Sequence, residues 1–202
     1  MESITDSAAR VGVHVRDPAG TVSARPGAGL TVWLTGLPSA GKTTIANGLA
    51  GLLTDAGYLV EVLDGDAVRS VLGPELGFAR QDRDRNVRRV GYVAELLSRN
   101  GVVVVCALVS PYRATRDEVR AAHRGRFFEV LVTAPVSVCA ERDVKGLYAC
   151  QSAGRMSGLT GIDDPYEPPL RPELVVPTHT QGVAESVQAV WAGVSPLIGH
   201  PS

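Results

Sequence analysis

One segment, GLPSAGKT at residues 36–43, constrains the fold of this 202-residue chain more than any other. It fits the pattern G-x-x-x-x-G-K-[ST], in which backbone N–H groups surround phosphate oxygens, the lysine reaches the β- and γ-phosphates, and the last hydroxyl can bind Mg²⁺. The pattern is specific only between a strand and a helix. Both are predicted, because residues 31–35 are rich in β-branched and aromatic side chains and residues 43–56 carry apolar residues at helical spacing. This segment, residues 36–43, is called the phosphate loop below. It predicts a site for a nucleoside triphosphate, without indicating what happens to the nucleotide.

The rest of the chain repeats this alternation of apolar strands with amphipathic helices. Strands that are apolar throughout indicate a parallel sheet covered by helices on both faces, which is an α/β fold. The further predicted strands cover residues 58–63, 102–109, 127–132 and 173–176, and the further predicted helices cover residues 82–100, 113–124, 135–142 and 183–194.

The periodicity fails in two segments. Residues 143–172 are rich in Gly, Pro, Asp and Ser, and a structureless stretch of this length in a compact domain is usually a functional loop or lid. Residues 1–29 mix small, polar and turn-forming residues, which is typical of a loose arm or a short extra strand. We predict an N-terminal arm over residues 1–29 and one P-loop domain over residues 30–202, with the lid at about residues 143–172.

Composition excludes several kinds of partner. The chain has 20 Lys and Arg residues against 21 Asp and Glu residues, a net charge of -1, so it has no general attraction to nucleic acid or to an anionic membrane. Residues 1–15 lack the pattern of a secretory signal, and the longest apolar stretch, residues 101–109, is about half of a membrane span. Cys106, Cys139 and Cys150 have neither metal-ligand nor disulfide spacing. We predict a cytoplasmic protein without nucleic-acid or membrane partners, whose first two cysteines are unpaired packing thiols.

Two carboxylates, Asp64 and Asp66, directly follow the second predicted strand. They are therefore expected at the carboxyl edge of the sheet, where open α/β folds bind ligands. Beside a triphosphate they could hold the waters of Mg²⁺ and take a proton from an attacking hydroxyl group. Alternatively, one of them only caps the short helix that runs through Val68. We favour the catalytic interpretation, which is compatible with capping.

Five arginines lie within residues 80–89. Guanidinium groups match phosphate and sulfate oxygens, so an anionic ligand is one interpretation. The other is a solvated helix face on which Asp82 and Asp84 are surface partners. Helical spacing brings two of the polar residues together on one face. We assign Arg83 and Asn86 to a ligand, and Arg85 and Arg88 to solvent.

Ser110, Pro111, Tyr112 and Arg113 follow the buried third strand, again at the carboxyl edge of the sheet. A serine at this point could be a nucleophile, a hydrogen-bond partner of a ligand, or only a turn residue. From its position alone we favour the turn.

These motifs, in this order, resemble those of the adenylylsulfate kinases, which use ATP to phosphorylate the 3′-hydroxyl of adenosine 5′-phosphosulfate. The resemblance runs from about residue 31 to residue 177, and its last segment, joined to the others, is highly specific. It implies a P-loop NTPase-type parallel sheet with a mobile lid, and it makes a homodimer a candidate assembly. The matching segments are GLPSAGKTT (36–44), LDGDAVR (63–69), LGFARQDRDRNVRRVG (76–91), VSPYRATRD (109–117), VCAERDVKGLY (138–148) and TGIDDPYEPP (160–169).

The resemblance also implies roles for individual residues. Phe78 would stack on the adenine of the acceptor, and Thr43 and Asp64 would bind Mg²⁺. The candidate catalytic residues are Lys42, Asp64, Asp66 and Ser110, the last of uncertain role because direct transfer needs no phosphoserine intermediate. Residues implied for ATP are Gly36, Leu37, Pro38, Ser39, Ala40, Gly41, Lys42, Thr43, Thr44 and Arg142. Residues implied for the substrates are Arg69, Phe78, Arg83, Asn86, Ser110, Pro111, Tyr112, Arg113, Lys145 and Leu159.

The chain departs from the family pattern mainly in the lid. Ala149, Cys150 and Ser152 stand where the family has two lysines and an arginine, Leu159 stands where it has an aromatic residue, and Ala67 stands where it has an asparagine. A leucine keeps apolar contact with an adenine but loses stacking of about 1–3 kcal/mol. Two alternatives therefore stay open. One is a related P-loop kinase that phosphorylates another nucleotide or a specialised metabolite; the other is a nucleotide-binding sensor without turnover, against which the intact phosphate loop and carboxylate pair argue.

Overall fold

The computed structural model of the protein describes residues 29–199, so the arm predicted over residues 1–29 lies outside it except for Gly29. Five parallel strands form one sheet in the order β2-β3-β1-β4-β5. The predicted α/β class is confirmed. The strands are β1 (Leu30–Thr35), β2 (Val60–Asp64), β3 (Val103–Ala107), β4 (Phe127–Thr133) and β5 (Leu174–Pro177).

Helices connect the strands and cover both faces of the sheet, as predicted. Within the described residues, none of them is long and apolar enough to cross a membrane. The helices are α1 (Lys42–Asp55), α2 (Gly65–Leu72), α3 (Arg80–Ser98), α4 (Arg113–Ala122), α5 (Val136–Arg142), α6 (Leu147–Ser152) and α7 (Val183–Ile198).

Successive residues of β1 pack against opposite faces of the sheet. Val32 contributes to the apolar cluster that also contains Leu49 of α1 and Val190 of α7. Trp33 contributes to the other cluster, with Val90 of α3. All six residues of β1 are buried. A central parallel strand is covered on both sides, which explains why apolar residues follow one another in β1 and β3 without polar alternation.

The cysteine prediction is confirmed. Cys106 and Cys139 are buried and free, and Cys150 is a half-buried free thiol. Burial raises the pKa of the Cys106 thiol, so this side chain is a neutral packing group in the core.

One sequence prediction is wrong, while the other elements are found with small shifts at their ends. Residues 143–172 are not structureless, because α6 lies among them and Thr160 and Asp164 form an isolated bridge. The Asp143 side chain accepts hydrogen bonds from backbone N–H groups in the first turn of α6, a local contact that composition does not reveal. Of the two aspartates in the alternative interpretation of the arginines, Asp82 pairs with Arg85 at 4.0 Å, whereas Asp84 accepts a hydrogen bond from Thr115 of α4.

Candidate active site

The phosphate loop joins β1 to α1 at the middle of the sheet, where β1 lies between β3 and β4. Open parallel sheets bind ligands at such a point, because the chain leaves neighbouring strands toward opposite faces. Gly36 has a φ of 153°, and an added Cβ would lie 2.1 Å from the carbonyl oxygen of Val132. Only glycine fits there. The free N–H groups at the N-terminus of α1 then make the loop a site for anions.

Lys42 lies against the phosphate loop. It is buried, and its Nζ donates to the carbonyl oxygens of Gly36 at 3.0 Å and Leu37 at 2.7 Å. Burial, followed by the charge of Lys145, lowers the pKa of Lys42 to about 8. These are the only two lysines in the sequence, and all other basic side chains are arginines or histidines. Both lysine side chains, which are compact point charges unlike the planar guanidinium, therefore lie at this site.

The carboxylate pair lies at the end of β2, next to the first turn of α1. Thr43 Oγ1 donates to Asp64 Oδ2 at 2.8 Å. Asp64 Oδ1 accepts from the backbone N–H of Asp66 at 3.0 Å and from that of Ala67, so Asp64 caps α2. The exposed carboxylate of Asp66 pairs with Lys145. Asp64 thus caps α2 and also contacts Thr43 of the phosphate loop, which agrees with the expectation that capping and a place in the site are compatible.

An exposed aromatic ring lies near this edge, between α2 and α3. Phe78 is 58% exposed, with the Arg69 guanidinium 4.6 Å and the Arg83 guanidinium 5.8 Å from its ring centre. Asn86 follows Arg83 by one turn of α3, and its Oδ1 is buried without a hydrogen-bond partner among residues 29–199. A flat apolar surface, two cations and an amide oxygen suit a ligand that is both aromatic and anionic.

Some of the N–H donors of Arg83 already form hydrogen bonds with the loop that follows α6. Its Nε donates to the Phe78 carbonyl at 2.9 Å, Nη1 to Thr160 Oγ1 at 2.9 Å, and Nη2 to the Gly158 carbonyl. A guanidinium has five N–H donors, so two are left for a ligand. By contrast, Arg85 and Arg88 lie on the solvent side as predicted, and Arg88 pairs with Glu118 at 2.7 Å.

Ser110 lies inside the protein at the end of β3. It is 3% exposed and has a φ of 39°. Its hydroxyl accepts from Trp33 Nε1 at 3.1 Å and donates to Thr35 Oγ1 at 2.9 Å. Thr35 donates to the Val109 carbonyl at 2.8 Å and accepts from the Tyr166 hydroxyl at 3.0 Å. The Ser110 hydroxyl is therefore one link in a chain of hydrogen bonds that runs from β1 to the lid.

Comparison with known proteins identifies the family of this chain. The family model described as adenylylsulphate kinase matches residues 28–177. The chain belongs to the adenylylsulfate kinase family. It is 55% identical to the adenylyl-sulfate kinase of Rippkaea orientalis over 169 residues, which are 84% of this chain and 93% of that protein. It is 52% identical to the adenylyl-sulfate kinase of Chloroflexus aurantiacus, again over 84% of this chain and over 90% of that protein.

Solved structures of the family agree with the fold. The APS kinase of Mycobacterium tuberculosis, in complex with AMPPNP and APS, matches with a TM-score of 0.80 and 38% identity, covering 84% of this chain and 99% of that chain. A hexameric APS kinase from Thiobacillus denitrificans matches with a TM-score of 0.64 and 36% identity, covering 84% of this chain and 29% of that chain.

In this member of the adenylylsulfate kinase family, three further predicted substrate residues contact the lid, in addition to Arg83. The Pro111 carbonyl accepts from the backbone N–H of Glu167 at 2.8 Å. Tyr112 is buried, and its hydroxyl donates to Asp164 at 2.9 Å. Arg113 donates to the Pro168 carbonyl at 3.1 Å. A direct contact of these residues with a substrate stays a prediction.

The lid also contacts the phosphate loop. A cavity of about 540 Å³ is lined by Leu37 and residues 161–166. An added Cβ at Gly161 would lie 2.6 Å from Leu37 Cδ2, so the two segments touch there. Leu159 is 2% exposed and packs within an apolar cluster of the core. Contact of Leu159 with an adenine therefore stays a prediction, and it requires a different position of the lid.

Sequence reasoning missed Thr178 and Asp164. Arg142 donates to the hydroxyl of Thr178 at 3.0 Å, and that hydroxyl donates to the Ala40 carbonyl of the phosphate loop at 2.8 Å. Thr178 could have been found, because it follows the last predicted strand at the carboxyl edge of the sheet. Asp164 lies in the segment TGIDDPYEPP that carries the resemblance, but its contacts could not be predicted, because those with Arg83 and Tyr112 join residues far apart in the sequence.

Proposed function

We propose that this protein is an adenylylsulfate kinase, which transfers the γ-phosphate of ATP to the 3′-hydroxyl of adenosine 5′-phosphosulfate and forms 3′-phosphoadenylylsulfate. The observation that carries the proposal is the family match over residues 28–177, which includes the phosphate loop, the carboxylate pair and Phe78. The relative from Mycobacterium tuberculosis, whose structure contains AMPPNP and APS, supports the same pair of substrates.

The phosphate loop is proposed to bind the triphosphate of ATP. Backbone N–H groups at the start of α1 and the Lys42 ammonium group supply positive charge there. Lys42 stabilises the charge that moves onto the phosphate oxygens during transfer. Arg142, which is held beside the loop by Thr178, is proposed to lie against the nucleotide.

Mg²⁺ fits the oxygen atoms at the start of α1. Thr43 Oγ1 and Asp64 Oδ2 lie 2.8 Å apart, and hydroxyl and carboxylate oxygens are ligands that Mg²⁺ prefers. Thr43 and Asp64 are proposed to hold the ion. When bound, Mg²⁺ neutralises phosphate charge and so assists the transfer.

The acceptor is proposed to bind beside Phe78. Stacking of the adenine on this exposed ring contributes about 1–3 kcal/mol. Arg69 and Arg83, whose guanidinium groups lie 4.6 Å and 5.8 Å from the ring centre, are proposed to bind the phosphosulfate group, and the unpaired Oδ1 of Asn86 can accept a hydrogen bond. The net charge of the chain is close to zero, so this local pair of guanidinium groups provides the attraction for an anion.

Transfer is proposed to be direct and in line. The bond between the γ-phosphorus atom and its bridging oxygen breaks, a bond from phosphorus to the acceptor oxygen forms, and Asp66 takes the hydroxyl proton. Asp66 suits this role because its carboxylate is exposed at the start of α2. Ser110 is proposed to support the site through Thr35 and Trp33, since its hydroxyl is buried and already makes two hydrogen bonds.

Residues 143–172 are proposed to form the lid of a domain that spans residues 30–202. Lys145 connects the first part of the lid to Asp66, close to the reacting groups. The second part is anchored by Tyr112, Arg113 and Thr35. Tyr148 of α6 is also anchored, because it is buried and donates to the Pro38 carbonyl at 3.1 Å. We therefore propose that the exposed pair of Lys145 with Asp66 opens as substrates enter and leave, while Tyr148 and residues 158–168 stay in place.

An assay coupled to ADP release tests the function. With ATP and Mg²⁺ present, we expect turnover with adenosine 5′-phosphosulfate and none with AMP, other nucleosides or no acceptor. The altered lid residues, Ala149, Cys150, Ser152 and Leu159, favour a different hydroxyl acceptor as the second candidate. Turnover with another acceptor only would support that candidate, and binding of ATP without any turnover would support a sensor.

Assembly and location belong to the same proposal. We propose a homodimer, supported by the assembly of a family member from Thiobacillus denitrificans into a hexamer. Light scattering during size-exclusion chromatography measures the molar mass; a mass of one chain would contradict the dimer. Because the reaction consumes ATP, we also propose that the protein acts in the cytoplasm.

A further inference from the structure

Asp164 joins the lid to the arginine of the proposed acceptor site. Its Oδ2 lies 3.7 Å from Arg83 Nε and accepts from Thr160 Oγ1 at 3.3 Å. Its Oδ1 accepts from the Tyr112 hydroxyl at 2.9 Å, and the Arg80 guanidinium lies 4.3 Å from the Tyr112 ring centre. The Asp164 side chain is largely buried among these groups. One carboxylate thus contacts the lid, α3 and the residue that precedes α4.

The loop around Asp164 also holds Arg83 directly. Arg83 donates to the Thr160 hydroxyl and to the Gly158 carbonyl. The loop is closed on itself by a backbone hydrogen bond of 2.7 Å from Gly161 to Asp164 and by the bridge between Thr160 and Asp164. The orientation of the guanidinium is therefore set by the lid as much as by α3.

Asp164 has two opposite effects on an anionic ligand of Arg83. It fixes the guanidinium, which removes part of the ordering cost when a ligand binds. It also offsets part of the positive charge of Arg83, which weakens the attraction of an anion. Arg83 keeps two N–H donors that make no hydrogen bond and point in a fixed direction. The first effect therefore prevails for a ligand such as a phosphate or sulfate group, in which two oxygens accept from both donors in one geometry.

We propose that Asp164 is a positioning residue for the acceptor: it holds Arg83 in the orientation that the acceptor requires and makes that orientation depend on residues 158–164 of the lid. The inference rests on the proposed function. It adds a specificity-determining residue that does not itself touch the reacting atoms.

The experiment compares Asp164→Asn with Asp163→Asn. Asp163 is a matched control because it lies in the same loop and does not contact Arg83. It accepts from the backbone N–H groups of Gly158 and Leu159, so it can act on Arg83 only indirectly, through the Gly158 carbonyl. The steady-state KM values for adenosine 5′-phosphosulfate and for ATP are measured, with thermal melts of both variants. We expect Asp164→Asn to raise the acceptor KM about fivefold and to leave the ATP KM within about twofold. Asp163→Asn should leave both KM values within about twofold.

A second variant, Tyr112→Phe, keeps the ring beside Arg80 and removes only the hydroxyl that holds Asp164. It should raise the acceptor KM by about twofold, with the ATP KM unchanged. An unchanged or lower acceptor KM in Asp164→Asn would overturn the inference, as would an equal rise in both aspartate variants. Those results leave the parent's turnover intact. A parent enzyme that neither turns over nor binds adenosine 5′-phosphosulfate would instead overturn the proposed function together with the inference.

Discussion

The phosphate loop and the lid touch at Leu37 and Gly161, yet they are held in opposite ways. The phosphate loop is stabilised mainly by its own neighbours, since Lys42 donates to carbonyls five and six residues before it and the loop runs directly into α1. Tyr148 and Thr178 add two hydrogen bonds from distant parts of the sequence. The second part of the lid, residues 158–168, is held by hydrogen bonds to side chains that are distant in the sequence, those of Thr35 and Arg83. The structure of a segment with local contacts can be predicted from a short motif. The structure of a segment whose contacts are distant in the sequence cannot.

The lid rests on a buried ionic network. The Arg116 guanidinium pairs with Glu129 at 3.0 Å and donates to the carbonyls of Ser110 and Glu167. Arg120 joins Glu129 to Glu173, at 3.1 Å and 2.6 Å. These charged groups lie beneath the end of the lid, so the position of the lid depends on the folded core. The positive charge of the phosphate loop is instead proposed to bind the ligand.

The largest effect is expected on the phosphate-loop side, from Lys42→Ala. Removing the ammonium group should lower kcat by about 1,000-fold or more, because it neutralises charge in the transferred group. The thermal melt should change little, since Lys42 Nζ makes only two hydrogen bonds, both to carbonyls of the loop itself. Single-turnover kinetics with saturating ATP gives the rate. A folded variant that keeps more than a tenth of the parent rate would contradict the kinase mechanism.

The next effect tests the lid side, through Arg116→Ala. This change leaves Glu129 buried with Arg120 as its remaining partner, and it should lower the free energy of unfolding by about 3 kcal/mol. Arg88→Ala is the matched control. Arg88 also pairs with a glutamate, Glu118, at 2.7 Å, but the side chains of both residues are about half exposed. That variant should cost less than about 1 kcal/mol. Urea unfolding measures both, and equal costs would show that burial does not matter here.

The difference between the two regions explains what the sequence could predict. The five strands and the phosphate loop follow from apolar runs and from one motif, both of which are local. Helix α6 was missed because it has six residues and begins at a side-chain contact of Asp143. The surroundings of Ser110 could not be predicted either, since they depend on Trp33 and Thr35 of a strand more than 70 residues earlier. Resemblance supplied the identity of the site residues, but not their contacts.

A smaller effect concerns pH. In the folded protein without nucleotide, burial lowers the pKa of Lys42 to about 8, below its ordinary value of 10.5. The unfolded chain therefore binds more protons than the folded chain above pH 8, and the free energy of unfolding should rise with pH, by about 1 kcal/mol at pH 9. The kcat/KM for ATP, which depends on the charged lysine of the free enzyme, should fall over the same range. Urea unfolding at pH 7 and pH 9 measures the rise, and Lys42→Ala should remove it. A rise of equal size in that variant would assign it to another group.

The smallest effect is expected within the lid, from Leu159→Phe. In this packing Leu159 is 2% exposed, so a larger ring must fit into the apolar cluster, and overpacking should cost about 1 kcal/mol of stability. The acceptor KM should then stay within about twofold of the parent value, because the ring is not offered to the ligand. If the lid instead turns residue 159 toward the adenine, the added ring face should lower this KM by up to about tenfold. A thermal melt and the KM for adenosine 5′-phosphosulfate, measured on the same preparation, separate these cases. A lower KM would mean that residues 158–168 move around the acceptor rather than stay in place.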